Sequence, residues 1–262
     1  MIGLTGLPEF SLGDDVALAI VRAAEQAGGL CTDDLLVVAQ KIISKVEGRK
    51  VKLTDVKPSA LAQKYAKICE KDPRFVELVL RESESVEVVR PGHLIVTTKH
   101  GITCANAGID TSNVEGDTET VLLLPQDPDT SARRLSDGIA KLTGKKVGVI
   151  ISDTHGRTLR EGQVNVAIGA AGVQLFRDYR GLKDSKGYTL RVKLISVADE
   201  IAAAAELVIG QAQEKIPVAI VRGLRILSEQ PTSSRELNMS REKWFFKPEL
   251  GPELSSFPVP KQ

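Results

Sequence analysis

Cysteine is scarce in this chain: Cys31, Cys69 and Cys104 are odd in number, widely spaced and form no CxxC pair. That pattern suggests neither a zinc site nor a disulfide framework. Aromatic residues make up 4% of the sequence, too few for a base-stacking platform. A formal net charge of +1 gives no electrostatic case for nucleic acid or an anionic membrane surface. No apolar run approaches the about 20 residues of a membrane span, and the N-terminus lacks the basic, apolar, small-residue order of a signal peptide. The expectation is a cytoplasmic protein with neither nucleic acid nor membrane as partner. The sequence also has no GxxxxGK[ST] phosphate loop, no internal repeat and no low-complexity segment.

What remains is an ordinary globular composition, 42% hydrophobic and 26% charged over 262 residues. Such a chain can bury a large core, as one domain or two smaller ones. The most informative stretch runs from Lys146 to Glu161. Val147 to Ile151 is a short β-branched run, read as a strand buried on both faces. It is expected to end in a polar turn at Ser152, Asp153, Thr154, His155 and Gly156. A buried strand that delivers a carboxylate and a hydroxyl to its end is one way to mount metal ligands on a rigid support. Arg157 and Arg160 follow, cations suited to phosphate or carboxylate. A solvated basic loop is the alternative.

A second such stretch is Cys104 to Asn113, in which Asn106, Asp110, Thr111, Ser112 and Asn113 surround a glycine. Small oxygen-bearing side chains suit Mg²⁺, Mn²⁺ or nucleotide hydroxyls; they also suit a loop that caps its own backbone. Cys104 has no base beside it in sequence and reads as a small buried hydrophobe.

Elsewhere Gly3 to Phe10 is an irregular arm, and Asp14 reads as the N-cap of a helix that Gly28-Gly29 stops. Asp34 to Ala39 is a buried strand followed by Gln40, Lys41, Ser44 and Lys45, whose lysines either meet phosphates or face solvent. Helices are expected over 58–68, 73–83, 131–142 and 199–209, with strands over 83–89, 94–98, 190–197 and 216–221. Phe176 to Tyr188 reads as a basic loop. After Leu227 the chain turns polar and proline-rich, a tail over 228–262 carrying Trp244, Phe245 and Phe246. Those aromatics must pack on the body or on a partner subunit.

Several motifs occur in one order: Gly6-Leu7-Pro8; Val38-Ala39-Gln40 through Ser44-Lys45-Val46-Glu47-Gly48; Asn106-Ala107-Gly108-Ile109-Asp110-Thr111-Ser112-Asn113; Leu124-Pro125 with Asp127-Pro128-Asp129; Ser152-Asp153-Thr154-His155-Gly156-Arg157; and Ala198-Asp199-Glu200-Ile201-Ala202. Together they make the chain resemble the coenzyme F420-0:L-glutamate ligase family over roughly residues 2 to 225. The resemblance implies an unusual mixed-sheet α/β (α+β) fold with several helices that forms a homodimer. It implies a ligase body over 1–227, with two lobes conceivable, and a separate tail. The implied reaction joins a deazaflavin coenzyme precursor to L-glutamate with GTP, through an acyl phosphate, and then adds further γ-linked glutamates.

By position, the resemblance puts Asp110, Asp153 and Thr154 on a divalent metal, Mg²⁺ or Mn²⁺. Gln211 stands at a second metal position where a carboxylate is usual in the family, with K⁺ as a further ion. Leu7, Pro8, Glu9, Phe10, Gln40, Lys41, Lys45 and Asn113 fall where GTP is contacted, and Asp110, Asp153, Lys45 and Arg157 are the implied catalytic set. His155 replaces an expected asparagine. Acyl-phosphate chemistry asks for positioning and charge neutralisation rather than a covalent nucleophile, which these residue types supply. A non-catalytic deazaflavin- or nucleotide-binding protein on the same fold is the competing expectation.

Overall fold

A computed structural model of the chain describes residues 1–111 and 119–246. In chain order its strands are β1 (Ile2–Gly3), β2 (Leu35–Ala39), β3 (Lys50–Lys52), β4 (Ser83–Arg90), β5 (His93–Thr98), β6 (Thr103–Ala105), β7 (Thr120–Leu122), β8 (Gly148–Arg157), β9 (Arg160–Ala171), β10 (Phe176–Asp178), β11 (Leu194–Ser196) and β12 (Val218–Val221). The helices are α1 (Val16–Gln26), α2 (Gln40–Val46), α3 (Ala60–Cys69), α4 (Pro73–Arg81), α5 (Pro128–Thr143) and α6 (Val197–Ile209). The mixed α/β class expected from sequence is the class observed.

The continuous apolar runs build a five-stranded sheet ordered β1-β12-β2-β8-β9. Strands β2 and β8 run parallel, from Leu35 opposite Gly148 to Ala39 opposite Ser152, and the other pairings are antiparallel. Both faces of this sheet are covered, which is why its central strands are apolar at every position. On one face Val38, Val149 and Ile151 pack with Ile20 of α1 and Leu135 and Ile139 of α5. On the other, Val37, Ile150 and Ala219 pack with Ala198, Ile201, Ala202 and Ala205 of α6. The alanine-rich face of α6 lets the helix lie close to the sheet. A third cluster gathers Tyr65 of α3, Val76 and Val79 of α4, Val86 of β4, Leu94 and Val96 of β5, and Val121 of β7. It is a separate layer built from the segment inserted between α2 and α5.

Several boundaries differ from expectation. The cap of α1 is Asp15, whose side chain accepts from Leu18 N, while Asp14 accepts from Ser11 N instead. The lysines after β2, given no element from sequence, lie on a short helix, α2. Strand β11 keeps only Leu194–Ser196 of the longer run expected there. The largest difference is at Ser152 to Gly156, which form no turn. β8 runs on to Arg157 because β9 pairs with it throughout, Asp153 opposite Val166, Thr154 opposite Asn165 and His155 opposite Val164. The turn falls instead at Thr158-Leu159, between Arg157 and Arg160. Gly162 to Ala171, glycine-rich in sequence, is accordingly most of β9, and its backbone packs closely at Gly169.

The described part of the tail, through residue 246, straps across the body. Ser233 Oγ donates to Asp129 Oδ2 at 2.7 Å and Ser234 Oγ donates to Ile168 O at 2.8 Å. Arg241 reaches the buried Glu87 at 3.2 Å. Trp244 is half-buried, donating from Nε1 to Met239 O at 2.9 Å. Phe245 and Phe246, at 90% and 71% exposure, are not covered by the body.

Gly169 is where α5 meets β9: a Cβ built there would lie 2.5 Å from Pro128 O and 2.6 Å from Pro128 C. Backbone at both sides cannot yield as a flexible side chain could. Gly169→Ala is expected to destabilise the chain by about 1–3 kcal/mol, the usual cost of overpacking a core. Urea unfolding checks it; an unchanged midpoint would show that α5 shifts freely on the sheet.

Candidate functional site

The parallel pair β2 and β8 opens in one direction, and the expected site residues collect at that end. Ala39, with no side-chain cap, passes the chain directly from β2 into α2. Gln40 is therefore buried at 2% exposure, where its Oε1 accepts from Ser44 Oγ at 2.8 Å. Its Nε2 is buried with no hydrogen-bond partner among the described residues, and so is Ser152 Oγ, on the residue opposite Ala39. Buried polar atoms are almost always paired, so each such atom calls for an explanation.

One turn of α2 presents Lys41 and Lys45 to the same end. Lys41 Nζ lies 2.7 Å from Asp110 Oδ2, with both side chains mostly covered. Lys45 Nζ is 3.1 Å from Glu9 Oε2, the lysine 13% exposed and the glutamate 87%. Glu9 belongs to the N-terminal arm, which is pinned by the buried Leu4 and Phe10 and leaves Pro8 and Glu9 exposed, with Leu7 half-buried. The arm, α2 and the Asp110 segment thus meet around two ammonium groups. Asn113 lies outside the described residues.

Strand β8 divides its own site residues. Consecutive strand residues point to opposite faces, so Asp153 and His155 share one face while Thr154 takes the other. His155 Nε2 lies 3.0 Å from Asp153 Oδ2. The Asp153 charge also bears on Cys104, which puts it on the face turned toward β6. Thr154 faces α6, where its hydroxyl donates to Asn165 Oδ1 at 2.7 Å and accepts from Gln211 Nε2 at 2.8 Å. Asp153 is thereby separated by the sheet from Thr154 and Gln211, while Asp110 stands with Lys41 of α2. Arg157 sits at the tip of the β8–β9 hairpin, donating from Nη2 to Glu161 O.

Asn165 and Glu206 complete the α6 side and were not anticipated from sequence. Asn165 Nδ2 and Gln211 Nε2 each donate to the Glu206 carboxylate at 2.6 Å. Burial pushes the Glu206 carboxyl above the usual carboxylate range, with the Gln211 and Asn165 hydrogen bonds opposing the rise. A signal was available: Glu206 is the single charged residue in the apolar run from Ile201 to Ile209, and Asn165 is flanked by valines.

Among the described residues no group of three or more His, Cys, Asp or Glu side chains gathers as a metal cage. Asp110 and Asp153 instead offer one carboxylate each, each already beside a basic group. Either carboxylate fits Mg²⁺ or Mn²⁺ that arrives on phosphate oxygens, since Mg²⁺ is usually held by one or two carboxylates plus substrate. The orphaned Gln40 Nε2 is a donor ready for such an anionic substrate. No helix among the described residues is long and apolar enough to cross a membrane.

Residues 6–223 match the family model described as F420-0:Gamma-glutamyl ligase. The chain is 45% identical over 226 residues to the coenzyme F420:L-glutamate ligase of Methanothermobacter thermautotrophicus, spanning 85% of this chain and 88% of that one. It is 46% identical over 213 residues to the protein of the same name from Methanopyrus kandleri, spanning 81% and 82%. For the Archaeoglobus fulgidus protein, also of that name, the identity is 45% over 238 residues, spanning 91% and 92%.

The thiol beside Asp153 tests the burial of this end of the sheet. Burial and the Asp153 charge push the Cys104 thiol up to about 12, and Cys69 is buried and raised as well. Cys31 is exposed. At pH 8 a disulfide reagent is expected to titrate one thiol in the native chain and all three after denaturation. Rapid native labelling of Cys104 would show that the face carrying Asp153 is open to solvent.

Proposed function

The chain belongs to the F420-0:gamma-glutamyl ligase family, and on that basis we propose that it joins the carboxylate of a deazaflavin coenzyme precursor to the amine of L-glutamate. GTP drives the reaction. The precursor's carboxylate oxygen attacks the γ-phosphorus and GDP leaves, giving an acyl phosphate. The glutamate nitrogen then adds to the acyl carbon, phosphate departs and the amine proton is lost. Repeating the cycle on the product's γ-carboxylate adds further γ-linked glutamates.

The observation that carries this reading is the convergence of Lys41, Lys45, buried Gln40 and the arm around one end of a parallel strand pair. Phosphoryl transfer needs positioned charge more than a nucleophile. Lys45, already facing the Glu9 carboxylate, exchanges that partner for a phosphate oxygen as a point charge. Lys41 neutralises Asp110 in the free chain and is released to phosphate when the nucleotide arrives. Gln40 Nε2 supplies a neutral donor, and Leu7, Pro8 and Phe10 shape the arm that lies over the nucleotide. Asp110 and Asp153 would hold the divalent ion, with Thr154 and Gln211 as the second oxygen group and K⁺ as a further occupant. The ion, when bound, neutralises charge on the phosphates. Arg157, at the hairpin tip, is placed to meet the anionic substrate from outside.

The active form is proposed to be a homodimer, the two-fold contact covering the exposed Phe245 and Phe246. Light scattering is expected to give twice the 28.2 kDa of one chain; a monomer with full activity rejects it.

Incubation with GTP, Mn²⁺, L-glutamate and the precursor is expected to release GDP and phosphate only when all are present. The product mass should rise by one glutamyl residue per turnover. GTP bound and never consumed would identify a non-catalytic binder instead. Asp153→Ala should abolish ligation with little change in melting temperature, because it removes no core volume. Lys45→Ala should raise the GTP KM or lower kcat, and unchanged GTP kinetics would return Lys45 to the surface.

A further inference from the structure

Glu206 takes two side-chain amides at once, Gln211 on Oε1 and Asn165 on Oε2, both at 2.6 Å. An ionised carboxylate only accepts hydrogen bonds, so both amides must turn their NH₂ groups toward it. The remaining polarity follows from those two orientations. With Nδ2 on Glu206, Asn165 presents Oδ1 to Thr154, whose hydroxyl must commit its one proton there, at 2.7 Å. The Thr154 oxygen then accepts from Gln211 Nε2 at 2.8 Å, and one of its lone pairs is left over. The Gln211 Oε1 atom is turned away from Glu206 by the same constraint.

We propose that Glu206 is the positioning residue of the α6 side of the site, a half-buried charge that sets the donor and acceptor roles of Thr154, Asn165 and Gln211. It presents the Thr154 lone pair and Gln211 Oε1 as oxygen acceptors toward an incoming cation or N–H donor. The same circuit explains the amide at position 211. A carboxylate there would face the Glu206 oxygen at 2.6 Å, acceptor against acceptor. The geometry of the circuit is independent of the proposed reaction; only the kinetic part of the test rests on the ligase reading.

Glu206→Gln keeps the shape and replaces one acceptor by a donor, so one amide must lose its partner. In ¹H–¹⁵N spectra of the full chain, the Asn165 and Gln211 side-chain NH₂ pairs are expected downfield and slow to exchange. The substitution should return at least one pair to solvent-like shifts. Gln211→Glu should likewise free the Asn165 pair or shift it. A melting curve establishes that each variant is folded. In the ligation assay Glu206→Gln should lower kcat by about tenfold or more, the usual effect of removing an outer partner of a ligating group, with the GTP KM changed less than about twofold. Glu206→Asp, which keeps the charge, should recover part of the loss.

Amide pairs undisturbed by Glu206→Gln overturn the circuit. Amides displaced with kcat intact overturn its role in positioning. If the unaltered chain consumes no GTP, the ligase reading fails separately. Mn²⁺ affinity by paramagnetic resonance then replaces kcat, with a tenfold loss in the variant supporting the proposal and no change overturning it.

Discussion

The proposed site depends on the parallel register of β2 against β8. A parallel pair brings two chain segments out of the core at the same end, and in open α/β sheets that end is where ligands are met. Here Ala39 and Ser152 are opposite one another, so α2 and the polar half of β8 start from a common line. An antiparallel pairing of the same strands would have sent Lys41 and Asp153 to opposite ends. The cost of this geometry is that β2 and β8 must be apolar on both faces, which is met by α1 and α5 on one side and α6 on the other.

The charged groups at that line are already paired in the free chain. Lys41 stands against Asp110, Lys45 against Glu9, and His155 against Asp153. The first and third pairs are mostly covered and so are held more firmly than surface ions, whose pairing contributes little, whereas Glu9 is 87% exposed and holds Lys45 loosely. In the proposed function an anionic ligand would displace Glu9 or Asp110 from its lysine without creating a bare charge, because the displaced carboxylates would turn to a cation at the same moment. The buried Gln40 Nε2 and Ser152 Oγ fit that exchange, being donors without a hydrogen-bond partner among the described residues.

Much of the fold was legible in the residues, and the reason is burial on both faces. Continuous apolar runs mark β2, β8 and β12, and at the helix ends the residue types fit the observed caps, Asp72-Pro73 and Asp127-Pro128 at N-termini and Gly144 at a C-terminus. The class of the fold came from the family resemblance and is the class observed. Legibility stopped where pairing is decided at a distance. Ser152 to Gly156 has turn composition, yet β9 pairs along its whole length, so partner availability outweighed local propensity. The expected site residues were found at one end of the sheet, but their division into two faces was not legible, since it follows from the strand's period and the strand had been ended too soon. Glu206 and Asn165 escaped because each sits in a segment whose other residues read as packing.

The tail shows how a segment with almost no regular structure can still be fixed in place. Asp129, in the first turn of α5, accepts from Ala170 N, Ser233 Oγ and Ser234 N. One carboxylate therefore joins the helix, the edge strand β9 and the strap, with the positive end of α5 behind it. Farther along, Arg235 donates to Lys99 O and Arg241 meets Glu87, so the strap ends on the layer that carries β4 and β5. Glu87 is 2% exposed, and a carboxylate that buried is tolerated only with partners, here Ser85, Thr97 and Arg241. Removing Arg241 would leave it with neutral donors alone. The strap thus links the main sheet to the inserted layer through polar anchors and the packing of Leu237 on the α6-side core, and leaves Phe245 and Phe246 exposed.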